Sequence, residues 1–355
     1  MMNHLSQIAA KLPDFELDAM LIASDPGERY ALGFHGEGLV LVTKNGTHYS
    51  TDGRYIEAAQ GQITDANIVL STREKGHLTL AEEFIKANNL EKVGFESGYM
   101  SVDDYHRYAE KLTCLLVPAQ GLLDGLRAAK DADEHAAMRQ AQRITDEAFT
   151  AILEFIKPGM TEQEVAARLV YELLRRGGER VSFEPIVAAG PNGSKPHAVP
   201  GDTVIENGMF VTMDFGCVYG GYCSDMTRTI AVGQPTEEMV KVYHTVLQAQ
   251  LAGIAAAKAG VSGKDIDAAS RKVIEDAGYG PYFSHSFGHS LGLEIHESPN
   301  ASPSDATIMP VGAVISAEPG IYMPGKFGVR IEDVLFLNQG GCEVITASPK
   351  ELIVL

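Results

Sequence analysis

Short apolar runs alternate with helix-like stretches over the first third of the chain. Between Asp18 and Gly125 the apolar runs AMLIAS, LVLVTK, ANIVLS, KVGFES and CLLVPA are separated by segments such as LTLAEEFIKANNL. This alternation predicts an α/β unit. The pair Asn45-Gly46, which lies between two apolar runs, predicts a β-hairpin with a type I′ turn because both residues accept positive φ angles.

A longer amphipathic pattern opens a second unit. Apolar residues recur at three- and four-residue steps from Met138 to Phe155, and Lys157-Pro158-Gly159 ends the pattern. A charged stretch precedes this helix and marks a boundary. At 355 residues the chain is long enough for two cores, so we predict an N-terminal domain over 1–127 and a C-terminal domain over 128–355.

The second unit repeats itself. The segment KPGMTEQEVAA resembles KAGVSGKDIDAA, and both have the spacing of a helix N-cap. Further along, GMFVTMDFG aligns with GAVISAEPG, GYCSD aligns with GVRIE, and His197 in HAVP corresponds to His296 in HESP. We therefore expect two similar halves with acidic residues at equivalent points. The equivalent acids are Asp214 with Glu318, and Asp225 with Glu332.

These four acids occur in apolar, strand-like surroundings. FVTMDFG and YCSDMTRTIAV predict a hairpin joined by the four residues Val218 to Gly221, which places Asp214 and Asp225 opposite each other or nearly so. Opposed carboxylates repel unless a proton or a cation neutralises them. Four buried acids and one imidazole can hold two divalent cations, and oxygen donors favour Mn, Co, Fe or Mg.

The segment HSFGHSLGLEIHE adds three histidines. His289 and His296 do not have the one-turn helical spacing of the H-E-x-x-H motif. The alternation in LGLEIHE instead predicts a strand that follows His289. For His285, which lies beside a serine, a surface or capping role is favoured over a helper role at the site, and the choice stays open.

Charge and hydropathy disfavour three classes of protein: those that bind nucleic acid, those that are secreted and those that span a membrane. The formal net charge is -18, from 47 acidic and 29 basic residues, which disfavours binding to nucleic acid. The first twenty residues lack the basic flank and apolar core of a signal peptide. No apolar run reaches the length of about 18 residues that a membrane span needs. These features predict a cytoplasmic protein without a membrane segment.

The motifs resemble those of the M24-type pita-bread metallopeptidases, which include Xaa-Pro aminopeptidase, Xaa-Pro dipeptidase (prolidase) and methionine aminopeptidase. MDFG…SDMTRT, GHSLGLEIHE, SAEPGIY and VRIEDV occur in that order. TDGRY, RYALGF and LRAAKDADEHAAMRQA resemble the creatinase-type N-terminal domain of the Xaa-Pro enzymes, which methionine aminopeptidases generally lack. The resemblance implies an α+β fold, in which a C-terminal pita-bread domain with a pseudo-two-fold repeat follows an α/β creatinase-type domain.

The resemblance also implies the residues of a dinuclear site. The implied metal ligands are Asp214, Asp225, His289, Glu318 and Glu332. The implied catalytic residues are His197, His296, Glu318 and Arg330, with Tyr322 as a weaker candidate. A hydroxide that bridges two cations is expected to attack the carbonyl before proline, while Glu318 transfers a proton and His197 and His296 steady the intermediate. Arg330 is expected to bind the product side or to orient a ligand carboxylate; a structural salt bridge is the alternative.

By the same resemblance, the expected cofactors are two divalent ions. Manganese is the first choice, and cobalt, zinc or iron are alternatives. The expected partners are peptides with proline at the second position and a second copy of the chain in a homodimer. A creatinase-like amidinohydrolase is one alternative function, although the complete ligand set opposes it. A non-catalytic pita-bread binding module is another, and it would be expected to have lost ligands. The choice between dipeptidase and aminopeptidase stays open.

Overall fold

The computed structural model describes residues 3–355, and the chain divides into two compact units. One unit ends at Arg127 and the other begins at Ala128. Within residues 3–355 no helix combines the length and the hydropathy that a transmembrane span requires.

The first unit is a mixed sheet with helices in the connections. Its strands are β1 (Ala19–Ile22), β2 (Leu39–Thr43), β3 (Gly46–Thr51), β4 (Asn67–Leu70), β5 (Lys92–Phe95) and β6 (Leu115–Pro118). Its helices are α1 (Leu5–Lys11), α2 (Asp25–Leu32), α3 (Ile56–Gln62), α4 (His77–Ala87), α5 (Val102–Lys111) and α6 (Gln120–Arg127). The strand order is β4-β3-β2-β1-β5-β6, with β3–β4, β1–β5 and β5–β6 parallel. The predicted α/β class of this unit is confirmed.

The β2–β3 hairpin forms, but its predicted turn is wrong. Thr43 pairs with Gly46, so the loop residues are Lys44 and Asn45, and neither has a positive φ angle. The Thr43 hydroxyl closes the turn instead, because it accepts the Asn45 amide proton and donates to the Gly46 carbonyl. This hydrogen bonding makes a type I′ turn unnecessary.

The second unit contains longer helices and several small sheets. Its helices are α7 (Ala132–Phe155), α8 (Glu162–Arg175), α9 (Glu237–Ala256) and α10 (Gly263–Asp276). The strands of its first half are β7 (Arg180–Val181), β8 (Ile186–Ala189), β9 (Met209–Phe215), β10 (Cys217–Tyr219), β11 (Tyr222–Cys223) and β12 (Met226–Val232). The strands of its second half are β13 (Gly288–Ser290), β14 (Glu297–Ala301), β15 (Val314–Ala317), β16 (Gly320–Met323), β17 (Phe327–Arg330), β18 (Asp333–Asn338) and β19 (Gly341–Val344).

The two halves share one arrangement, as the internal repeat predicts. The antiparallel order β8-β9-β12 in the first half corresponds to β13-β15-β18 in the second. Thr161 caps α8 and Ser262 caps α10, and each hydroxyl accepts the amide proton three residues further on. Each capping residue also forms an isolated bridge, with Val204 and Ile308 respectively.

One face of the β8-β9-β12 sheet packs on an apolar core, and the other face carries part of a polar site next to a second apolar cluster that includes Phe210. On β9, Val211, Met213 and Phe215 are buried in a cluster with residues of α7 and α8. Because side chains alternate along a strand, Thr212 and Asp214 point to the opposite face. The helices therefore support a rigid sheet whose second face can carry charged groups.

Candidate metal centre and active site

A cavity of about 600 Å³ lies in the second unit, and every site residue expected from the sequence except the weaker candidate Tyr322 lines it. These residues are His197, Asp214, Asp225, His289, His296, Glu318, Arg330 and Glu332. They come from separate strands and loops of both halves of the repeat, so only the folded unit brings them together.

Asp214 and Asp225 lie on the predicted hairpin, but in a different register. Tyr219 pairs with Tyr222, so the turn has two residues rather than four. Its two residues, Gly220 and Gly221, have φ angles of 58° and 82°, as a tight hairpin turn requires. Asp214 consequently pairs with Thr227, two residues from Asp225, so direct opposition of the two aspartates is wrong, whereas the near opposition that the sequence also allows is kept. Asp225 lies between β11 and β12 and is 3% exposed.

Glu332 lies between β17 and β18, where the strand predicted through VRIEDV is interrupted. Thr227 holds it at two points. The Thr227 hydroxyl donates to Glu332 Oε2 at 2.7 Å, and the Glu332 amide donates to the Thr227 carbonyl at 3.0 Å. Thr227 is fully buried, so these hydrogen bonds are shielded from water and fix the direction of the glutamate.

His289 and Glu318 face each other on the opposite side of the acidic cluster. His289 lies on β13, and its Nε2 atom is 3.2 Å from Glu318 Oε1 and 3.5 Å from Asp225 Oδ2. Its Nδ1 atom lies 3.2 Å from the carbonyl oxygen of Ser290. A donor Nδ1 would leave Nε2 as the free imidazole nitrogen that faces the carboxylates. The hydroxyl of Ser316 also donates to Glu318 Oε1, at 3.0 Å.

Arg330, at the end of β17, is buried, and its guanidinium contacts several residues of the site. Its guanidinium forms an ion pair with Asp214 Oδ2 and donates to the hydroxyls of Tyr322 and Thr227 at 2.9 and 3.0 Å. Tyr322 in turn lies 2.8 Å from Nε2 of His285. This ion pair fits both an Arg330 that orients a candidate ligand carboxylate and the alternative of a structural salt bridge, and the choice between them stays a prediction.

His285 lines the cavity, which favours the helper role over the surface or capping role. Burial lowers the pKa of its imidazole, which favours the neutral form. A single sequence offers no signal for this position, because its partner Tyr322 lies on β16 and the two meet only through tertiary packing.

The segment from Leu291 to His296 is an irregular loop, so the strand predicted from its alternation is wrong. Leu291 and Leu293 are buried because the loop folds inward, and the Gly292 amide donates to the Glu294 carbonyl within a turn. The alternation of apolar residues in this segment therefore reflects the burial of Leu291 and Leu293 in a loop and not the pairing of a β-strand.

His197 and His296 are exposed within the cavity lining. Burial lowers the pKa of the His296 imidazole, and charge on the neighbouring His289 and His197 lowers it further. The His296 ring centroid lies 4.5 Å from that of His289. Both exposed imidazoles are accessible to a ligand in the cavity.

The carboxylates carry more negative charge than their protein neighbours neutralise. Burial raises the pKa of Asp225 well above its usual range, and repulsion from Glu332 and Asp214 raises it further. Burial and the charge of Glu318 raise the pKa of Glu332 in the same way. Burial would also raise the pKa of Glu318, but the hydrogen bond and charge of His289 lower it to about 2. A bound cation would neutralise these clustered carboxylates and remove the repulsion between them.

Three carboxylate oxygens confirm that a cation would fit the donor set. Asp214 Oδ1, Asp225 Oδ1 and Glu332 Oε1 are buried and have no hydrogen-bond partner within residues 3–355. Buried polar atoms are rarely left without a partner. One ligand atom each from Asp225, His289 and Glu332 lie within 4.8 Å of one another, which suits coordination of one ion. Carboxylates with one imidazole suit divalent metals that prefer oxygen and nitrogen donors.

The fold and this donor set define a metallopeptidase of the pita-bread class. Residues 136–339 match metallopeptidase family M24, and residues 4–129 match the creatinase/prolidase N-terminal domain. The chain belongs to metallopeptidase family M24.

Named relatives cover almost the whole chain. An Xaa-Pro dipeptidase of Pyrococcus horikoshii is 35% identical over 99% of this chain and 100% of its own length. The structure of an Xaa-Pro dipeptidase from Bacillus anthracis superposes with a TM-score of 0.95 at 40% identity, with 99% of each chain covered. The structure of an X-Pro aminopeptidase from Thermotoga maritima superposes with a TM-score of 0.93 at 32% identity, with 100% of each chain covered.

Proposed function

We propose that this chain is a dinuclear metal-dependent peptidase that hydrolyses the peptide bond between a residue Xaa and a following proline. The observation that carries the proposal is the cluster of buried, under-neutralised carboxylates beside His289 in a cavity open to a ligand. The names of the relatives, Xaa-Pro dipeptidase and X-Pro aminopeptidase, supply the substrate class.

The metal ions would be held by side chains from both halves of the repeat. The proposed ligands are Asp214, Asp225, His289, Glu318 and Glu332. Bound divalent ions would polarise the scissile carbonyl and lower the pKa of an attacking water. A non-catalytic binding module would have no need for this complete set, and neither would a creatinase-like amidinohydrolase.

The remaining cavity residues have separate roles in the proposed reaction. Glu318 accepts a proton from the attacking water and passes it to the proline nitrogen. His197 and His296, exposed in the cavity, hydrogen-bond the scissile peptide and steady the charge that develops on its oxygen. Arg330 holds Asp214 in place, and the hydrogen bond that it donates to the Tyr322 hydroxyl orients its own guanidinium.

The cavity volume is compatible with a short peptide. Ligand sites commonly enclose about 300–1,000 Å³, and this cavity encloses about 600 Å³. Besides its charged groups, it offers apolar side chains such as Phe183, Ile186 and Val199 that can contact the residue before proline or the proline ring.

We also propose manganese as the physiological metal, a homodimer as the assembly and the cytoplasm as the location. The oxygen-rich donor set supports manganese. Metal analysis of protein purified without added metal, light scattering, and fractionation of the source cells test the three proposals in turn.

One assay set tests the main proposal. Metal-stripped and manganese-reconstituted protein should be given Ala-Pro, an Xaa-Pro tripeptide and creatine. We expect metal-dependent release of the residue before proline and no turnover of creatine. Absence of metal-dependent cleavage of both proline peptides would overturn the proposal. The ratio of dipeptide to tripeptide turnover assigns the enzyme as a dipeptidase or an aminopeptidase.

A further inference from the structure

A buried ion pair joins the start of the second unit to the cavity wall. Lys130 Nζ lies 2.9 Å from Glu297 Oε2, and the two side chains are only 1% and 5% exposed. Lys130 precedes α7, whereas Glu297 directly follows His296. A buried ion pair is by itself weak grounds for stability, because desolvation offsets the attraction between the charges. A role of this ion pair in positioning the neighbouring cavity residues is therefore a better explanation than a role in stability.

The pair closes the segment 291–297, which consists of the irregular residues 291–296 and Glu297 at the start of β14 and which we name the His296 loop. Within it, the Glu294 amide donates to Glu297 Oε1 at 3.2 Å, so Glu297 receives hydrogen bonds from Lys130 on one oxygen and from the loop on the other. The Gly292 carbonyl accepts the amide proton of Cys223 at 2.7 Å, which ties the loop to β11.

Gly292 shows how closely the loop approaches the ion pair. A Cβ atom at this position would lie 2.8 Å from each carboxylate oxygen of Glu297 and 2.9 Å from Cε of Lys130. A larger residue at this position would push the ends of the two side chains aside, because real Cβ atoms do not come so close to other heavy atoms.

The free side of the His296 loop forms part of the cavity. Ile295 and His296 line the cavity, while Leu291 and Leu293 are buried on the other side. Within the described loop no regular strand pairing holds Ile295 or His296, since the residues between β13 and β14 have no strand partners. His296 directly precedes Glu297, which pairs with Ser290 at the start of β14, so the position of His296 relative to His289 depends on that single pairing and on the contact of Glu297 with Lys130.

We infer that the Lys130–Glu297 pair is a latch that positions His296, and Ile295 beside it, for the reaction. The inference rests on the proposed function for its kinetic consequence, although the latch itself is a structural statement. Lys130 and Glu297 are positioning residues; neither lines the cavity. Lys130 is 167 residues from Glu297 in sequence, so this role depends on the tertiary fold.

The kinetic test compares Lys130→Met with Lys326→Met. Lys326 pairs with Glu238 at the same 2.9 Å, but this pair is on the surface, with side chains 54% and 46% exposed. We expect Lys130→Met to lower kcat by about 10- to 100-fold at unchanged metal content, since a displacement near 1 Å can cost that much. Lys326→Met should retain wild-type kcat, and Lys130→Arg should recover part of the loss. A wild-type kcat in folded Lys130→Met overturns the latch.

A double-variant cycle tests whether Lys130 acts through His296. In a His296→Ala background, Lys130→Met should lower the residual kcat by less than about twofold, because coupled residues are non-additive. An equal loss in both backgrounds would show that Lys130 acts elsewhere and would overturn the inference.

A spectroscopic test is independent of activity. In zinc-loaded protein with ¹³C-labelled histidine, the His296 ring signal is assigned by its loss in His296→Ala. We expect Gly292→Ala, which wedges the pair apart but keeps both charges, to shift or broaden that signal and to leave the His285 signal unchanged. Lys130→Met should do the same if it folds. An unmoved His296 signal in Gly292→Ala overturns the latch even if the wild-type protein cleaves Xaa-Pro peptides; absence of that cleavage would refute only the proposed function.

Discussion

Thr227→Val is the sharpest test of how the protein prepares its metal ligands. The hydroxyl of Thr227 donates to Glu332 Oε2 at 2.7 Å and accepts from Arg330 Nε at 3.0 Å, and the residue is fully buried. Valine has nearly the same shape, so the substitution removes the two hydrogen bonds and leaves the packing and the backbone contact of Glu332 in place.

The expected loss follows from the charge of Glu332. A hydrogen bond to a charged group contributes about 1.5–3 kcal/mol. At 1.4 kcal/mol per tenfold change, this range corresponds to a metal affinity weaker by about 10- to 100-fold. Loss of an outer hydrogen-bond partner of a metal ligand commonly costs about the same factor. The two estimates agree, so we expect the dissociation constant of the more weakly held ion to rise by that amount.

Calorimetric titration of metal-stripped protein with Mn²⁺ measures this affinity directly. Thr212→Val is a matched control, because the Thr212 hydroxyl is buried in the same sheet but bonds to the hydroxyl of Thr229, 2.9 Å away. The control should lose stability with little loss of metal affinity. If Thr227→Val binds Mn²⁺ within about twofold of wild type, the hydroxyl does not prepare Glu332 and the reasoning fails.

Three further predictions concern the ligands and the strands that carry them. His289→Ala should abolish tight binding of one ion, whereas His296→Ala should keep metal content and lower turnover; metal analysis and kinetics that gave the reverse would contradict the assigned roles. Mn²⁺ at 100 times its dissociation constant should stabilise the protein by about 2.7 kcal/mol, seen as a raised Tm, and an unchanged Tm would exclude binding that favours the folded state. Gly288→Ala should lower the unfolding free energy by about 1–3 kcal/mol and weaken metal binding, because the added Cβ would lie 2.0 Å from the Ser316 carbonyl oxygen. Gly201→Ala is the control, because a Cβ there would have no atom within 4 Å. Equal denaturation midpoints for the two variants would contradict the predicted clash.

The architecture of both units follows from local patterns. The alternation of apolar runs and helices in the first unit, and the repeated helix caps at Thr161 and Ser262, depend on residues close together in the chain. Periodicity and capping are local effects, so a single sequence displays them. The repeat places acidic residues at equivalent points, so the sequence alone predicts the acidic cluster.

The errors all concern register and long-range contacts. The four-residue turn predicted at Val218 to Gly221 has two residues, which moves Asp214 opposite Thr227. Alternation in the His296 loop was read as a strand, because burial of Leu291 and Leu293 produces the same pattern in an inward-folding loop. The turn error moves the partner of Asp214 by two positions, and sequence pattern alone does not separate such registers.

The sequence by itself determined which residue types could form a metal centre, because motif order and the internal repeat are properties of the chain. Only the tertiary structure decided which groups support that centre. Thr227 under Glu332, His285 against Tyr322 and Lys130 beside Glu297 are contacts between distant segments. Their physical basis is burial: once water is excluded, a charged or polar side chain must find its partner within the fold, wherever in the chain that partner lies.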